Sequence, residues 1–174
     1  MFRDLLDSLP WPPAPASRTA IGPTPGSAPA RLITELAERS NFQLVITPDT
    51  QGANNLVREL GFYQRDLEAR GQGLDVLLFP DWETLPYDNF SPHQDIVSER
   101  LHALYHLPKL RRGLLVVPVS TLMHRLPPRE YVSGNSLVLS VGQELDELDF
   151  RRSLERNGYR SVDTVYEHGE FAQR

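Results

Sequence analysis

The chain of 174 residues contains no cysteine. That absence removes thiol nucleophiles, disulfide frameworks, iron–sulfur clusters and Cys-ligated zinc together, and it fits a cytoplasmic protein. Long apolar runs are lacking as well. The first ten residues carry Asp4 and Asp7 where an export signal needs uninterrupted apolar side chains, and the longest strongly apolar stretch is LLVVPV at 114–119. No export or membrane-spanning segment is expected. A basic block is missing too: 18 basic and 23 acidic residues alternate along the chain for a net charge of −5. Without a run of cations to track phosphates, stand-alone nucleic-acid binding is disfavoured. Lysine occurs once, at Lys109, which reads as composition bias.

Proline, by contrast, is abundant at one end. Seven of the 15 prolines fall between residues 10 and 29, a stretch that cannot form a helix interior or a central strand and reads as a tether or lead-in. From Ala30 the pattern alternates. RLITELAER reads as an amphipathic helix, 42–48 as a buried strand, 50–70 as a helix and 74–80 as another buried strand. Continuous apolar strands separated by helices imply an α/β fold with a parallel sheet covered on both faces. A chain of this length buries roughly 68–70 % of its extended surface, so it needs no metal or disulfide staple.

Ser91-Pro92-His93-Gln94 has the form of a capping box, with Ser91 as N-cap and Pro92 at the first helical position. The helix it opens is expected to reach about Leu107 and to bury Val97, Leu101 and Leu104. A third parallel strand at 113–119 and a short helix at 120–126 follow. After Pro127-Pro128 the character changes to a strand at 136–142, a helix at 146–157 closed by Asn157-Gly158, and a strand-like end.

Three constellations invite a chemical reading. Gly22 and Gly26-Ser27 precede a helix, where a phosphate-binding loop would lie. Such a loop needs backbone N–H donors, a Lys and a Ser/Thr hydroxyl. Pro29 stands where the Lys belongs and Ala30 where the hydroxyl belongs, so the loop is degenerate and no cofactor is expected in this chain. Glu99, His102 and His106 share a helix face at metal-ligand spacing, although a solvated face is the simpler reading and no metal is expected. The loop at 81–90 leaves the carboxyl end of a strand, where α/β sheets bind ligands. Its Trp82, Tyr87 and Phe90 could stack bases. Asp81, Glu83 and Asp88 are interleaved with them and would repel phosphate, so packing is favoured, with Trp82 buried against the sheet or the next helix. No relay of Ser, His and Asp is evident by spacing and no residue is assigned as catalytic.

The segment DWETLPYDNFSPHQDIVSERLHALYHL (81–107), together with RRGLLVVPVSTLMHRLPP (111–128) and NGYRSVDTVYEHGEFAQR (157–174), resembles the amino-terminal region of the bacterial transcription-repair coupling factors, the Mfd family. The resemblance covers roughly residues 28–174. It implies a module similar to the damage-recognition subunit UvrB: a Pro-rich lead-in (1–27), a vestigial RecA-like domain (28–127), a linker (128–135) and the beginning of a small α+β second domain that binds the repair protein UvrA (136–174). Arg174, in the EHGEFAQR segment, is the residue on which the resemblance places UvrA contact; further contacts are expected beyond it. The family protein removes RNA polymerase stalled at a lesion by ATP-driven translocation on DNA. ATP and magnesium act in motor domains outside this chain, which is expected to be non-catalytic and to contact other parts of the factor. The alternative is a nucleotide-dependent, DNA-acting enzyme domain that still binds ATP.

Overall fold

A computed structural model describes residues 17–69, 71–85, 88–137 and 139–173. The chain divides into two units, one ending at Leu126 and one beginning at Pro127.

In the first unit the elements are α1 (Ala28–Arg39), β1 (Phe42–Thr47), α2 (Thr50–Ala69), β2 (Asp75–Leu78), α3 (Gln94–His106) and β3 (Gly113–Pro118). Segment GLLVVP has no charged or polar side chain and forms the centre of a parallel sheet ordered β1-β3-β2, with every β3 residue buried. The register sets Leu44 against Leu115, Ile46 against Val117 and Leu77 against Leu115. The α/β fold is the one expected from the apolar strands.

On one face Leu114 and Val116 pack with Ala30, Ala37, Ala53 and Leu60 from α1 and α2. On the other, Leu115 and Val117 pack with Phe79 and Ala103. Gly113 starts β3 because nothing larger fits: a Cβ there would stand 2.5 Å from the Asp75 carbonyl oxygen.

Two expectations fail at α3. The helix begins at Gln94, and its N-cap is His93, whose Nδ1 accepts from the Asp95 amide at 3.3 Å; Ser91 and Pro92 lie outside it. Its buried side is Arg100 and Ala103, while Leu101 is 46 % exposed and Val97 and Leu104 are half-buried. The stripe is displaced because the Arg100 side chain, not an aliphatic one, fills the space beneath Phe79 and Trp82. After β3 the expected short helix is a 3-10 turn, Val119–Met123.

In the second unit, residues 129–135, read from sequence as linker, form the helix α4 (Arg129–Asn135), with Val132 buried. The strand expected at 136–142 is absent among the described residues. Leu137, Leu139 and Val141 are exposed there, and a turn links Ser140 to Gln143. A lone strand with no partner edge leaves its backbone groups to water, so nothing holds it extended. Helix α5 (Glu147–Arg156) is capped by Asp146 Oδ1, which accepts from the Asp149 amide at 2.9 Å. Gly158 follows at φ 87°, the left-handed end that the Asn-Gly pair favours. Two-residue strands β4 (Arg160–Ser161) and β5 (Glu170–Phe171) pair in parallel.

Candidate functional site

The loop before α1 is the first place to test for phosphate chemistry. Residues 17–25 have no regular structure, and Gly26 takes φ 55° immediately before the helix. A Cβ at Gly22 would meet nothing within 4 Å, so no close approach of backbone to a neighbour requires glycine there. Ser27 occupies the N-cap position without bonding a helix amide, and its Oγ lies 3.2 Å from the Tyr63 hydroxyl. Pro29 removes an N–H from the first turn. Ala30 is fully buried in the core cluster, so its Cβ points away from any ligand at the helix end. The nearby cation Arg31 is committed, with Nε donating to Glu35 Oε1 at 2.6 Å. The two positions read against a phosphate loop, Pro29 and Ala30, carry neither an ammonium nor a hydroxyl.

The carboxyl edge of the sheet is built more tightly. Arg100, 2 % exposed, places its guanidinium over two rings, with its carbon 4.2 Å from the Phe79 ring centre and 4.1 Å from that of Trp82. It also donates through Nη1 to the Pro80 carbonyl. Burial lowers the Arg100 pKa, opposed by the nearby Asp81 carboxylate. Asp81 accepts from the Ser120 hydroxyl and, at 2.6 Å, from the Trp82 amide; His124 Nε2 stands 3.9 Å from its Oδ1. Burial raises the Asp81 pKa, but the hydrogen bonds from Ser120 and Trp82 and the field of His124 outweigh it and leave the group below its ordinary value. Thus the strand ends after β2 and β3 are tied together, Asp81 to Ser120.

Trp82 is half-buried, where the sequence led us to expect burial. One ring face covers Arg100, and the side chain also lines an open groove with Thr84, Pro92 and His124. Glu83 beside it takes φ 57°, a left-handed conformation unusual for a residue with a Cβ. Phe90 is 77 % exposed, and Tyr87 lies outside the described residues. Of the two described aromatics, Trp82 packs on Arg100 and Phe90 stands exposed. Ser120, Asp81 and His124 do come together, yet the serine bonds the carboxylate and not the imidazole. In this arrangement the carboxylate ties the loop after β2 to the turn after β3.

His102 and His106 pack ring to ring, centres 4.3 Å apart, and burial chiefly lowers the His106 pKa, aided by His102 and Lys109 against Asp75. Glu99 lines a groove with His102. Among the described residues no group of three or more His, Asp or Glu is placed to hold a metal.

In the second unit Glu170 organises the segment that carries the resemblance. Its Oε2 accepts from the amides of Tyr166 and Glu167 at 3.0 and 3.1 Å, and its Oε1 from Arg160 at 3.1 Å. Those amide bonds hold its pKa below the ordinary value. Gly169 turns the chain at φ 82°. Arg174 lies outside the described residues. Sequence reading missed Glu170 and Arg100. For Arg100 the signal was an arginine at 100, four before a leucine at 104 and three after a valine at 97, inside an otherwise apolar helix side.

Fold and site together define a small parallel α/β domain whose sheet edge is closed by Arg100 against Phe79 and Trp82. Relatives with known names narrow that class. The transcription-repair coupling factor of Haemophilus influenzae is 45 % identical over 164 residues, covering 94 % of this chain and 14 % of that protein. That of Escherichia coli is 46 % identical over 155 residues, covering 88 % and 13 %. The Myxococcus xanthus protein of the same name is 33 % identical over 153 residues, covering 86 % and 12 %. The chain is therefore related, over about nine-tenths of its length, to the N-terminal region of the transcription-repair coupling factors, and it spans 13–14 % of the length of the first two relatives. No family model matches it. Among the described residues no helix is long and apolar enough to cross a membrane.

Proposed function

We infer that this chain is the non-catalytic N-terminal module of a cytoplasmic transcription-repair coupling factor, the part that recruits UvrA when RNA polymerase has stalled at DNA damage. The observation that carries this reading is 45–46 % identity along about nine-tenths of the chain to proteins of that name. Its first unit reads as a vestigial RecA-like domain of the UvrB kind. In support, a helix follows the Gly26-Ser27 turn as it would a phosphate loop, while Pro29 and Ala30 replace the two ligating side chains. ATP, magnesium and DNA are handled by motor domains elsewhere in the whole factor, an ATP-driven translocase. The second unit begins the UvrA-binding domain, with Arg174 as a contact and Glu170 holding the turn before it; in the whole factor this surface also meets other domains.

Two measurements test the reading. Immobilised UvrA is expected to retain a fragment extended through the complete second domain more strongly than this chain; equal, background-level retention of both overturns the recruitment role. Titration with magnesium–ATP is expected to leave the melting temperature unchanged. A ligand at a hundred times its dissociation constant would add about 2.7 kcal/mol of stability. A saturable shift would favour the alternative, a DNA-acting domain that retains ATP binding.

A further inference from the structure

At the amino end of β2, a cavity of about 310 Å³ is lined by Asp75, by His102 and His106 of α3, and by Lys109 in the turn that follows. The two histidines lie one helical turn apart on one face, with ring centres 4.3 Å apart and planes inclined at 47°. Among the described residues no hydrogen bond engages a nitrogen of either ring. Burial chiefly lowers the His106 pKa, with His102 and Lys109 acting the same way against Asp75, so that imidazole is neutral near pH 7. Glu99, which helical spacing also puts on this face, opens with His102 on a neighbouring groove. Asp75, remote in sequence, is the carboxylate that shares the cavity with both rings.

We propose that His102 and His106 form a two-imidazole site for a divalent transition ion, with water completing its shell and Asp75 supplying countercharge across the cavity. A spacing of i, i+4 is the one by which a helix presents two imidazoles to a single zinc ion. Neutral imidazole nitrogen suits zinc, nickel and copper, whereas magnesium and calcium take oxygen ligands. His106 is the last residue of α3, where the negative end of the helix dipole favours a cation. His102 is exposed, so an ion enters without unfolding the helix. Among the described residues no group of three His, Asp or Glu is placed as a ligand set, so the ion keeps open positions and exchanges, unlike a structural zinc held by four side chains. Lys109 opposes the ion, although its Nζ is held 3.2 Å from the centre of the Tyr105 ring. A small anion is the poorer occupant, because at neutral pH Lys109 faces Asp75 and the imidazole of His106 carries no charge. Once bound, the ion clips together successive turns of the helix that carries Arg100.

Calorimetric titration of the whole chain with zinc chloride at neutral pH is expected to show saturable binding of one ion per chain, and magnesium chloride none. The ring signals of His102 and His106 are expected to shift together in NMR spectra as zinc is added, ahead of those of His124. His102→Asn, at an exposed position, should weaken zinc at least about tenfold and leave the metal-free melting temperature unchanged. Asp75→Asn should weaken it less, and Lys109→Gln should strengthen it. His168→Gln, in the second unit, should bind as wild type. Unchanged affinity in His102→Asn, one ion shared by two chains, or no saturable binding at millimolar zinc overturns the proposal. So does binding of inorganic phosphate in place of zinc, because the cavity is then an anion site.

Discussion

The Arg100 guanidinium carbon stands over Trp82, 4.1 Å from the ring centre, and this contact joins α3 to the loop after β2. The same group stands 4.2 Å from the Phe79 ring centre and donates to the Pro80 carbonyl, so one side chain holds three features of the strand-to-loop passage.

Arg100→Ala is expected to cost about 2–4 kcal/mol, from a desolvated cation–π contact and a carbonyl left without its donor. Trp82→Ala should cost about 1–3 kcal/mol, less than a fully buried aromatic, because Trp82 is half-exposed. Urea unfolding of both variants and of the double variant checks this. Strict additivity would show that the stack carries no coupling.

Gly113→Ala is expected to destabilise by about 1–3 kcal/mol, since the new methyl group collides with the Asp75 carbonyl across the parallel ladder. Gly134→Ala is the matched control. It lies within α4, where an added Cβ meets nothing within 4 Å, and should be neutral or stabilising by about 0.4–1 kcal/mol. Thermal melts of the two variants should move in opposite directions.

Ala30→Thr places a hydroxyl in the fully buried start of α1, with an expected cost of about 1–3 kcal/mol. Combined with Pro29→Lys it restores the letters of a phosphate loop, yet magnesium–ATP should still produce no shift in melting temperature. A dose-dependent shift would show that the loop geometry, and not only its residues, has survived.

Stability should depend on pH through Asp81. Its folded pKa lies below the ordinary 3.8, so the unfolded chain binds the proton more readily. The resulting stabilisation is complete above 3.8 and is lost as pH falls through the lower folded value. Ser120→Ala removes the larger of the lowering hydrogen bonds and should cost about 1–2 kcal/mol at neutral pH. Urea midpoints of wild type and variant are expected to converge under acid conditions; a constant gap would assign the loss to packing.

Much of the first unit was legible because apolar periodicity reports local burial directly. β3 reads as a six-residue run of apolar and glycine positions, and each of its residues is buried. The helix at 50–70 ends within a residue of its expected limit. Capping at α3 was misread because Ser91 and His93 both offer an acceptor, and the competition is decided by which of them the loop delivers to the helix axis. Residues 136–142 alternate like a strand, yet alternation cannot create the neighbour that a strand requires.

By itself the sequence determined the parallel α/β class and the absence of thiol and metal-thiolate chemistry, since each follows from residue identity or local period. Only the tertiary structure decided that an arginine would replace a leucine on the buried side of α3. It also decided that Asp81 and Ser120, thirty-nine positions apart, would close the sheet edge, and that one flank of β1 would stay bare. These depend on which elements meet across the sheet, and long-range packing free energy selects that, not the preference of any residue for a helix or a strand.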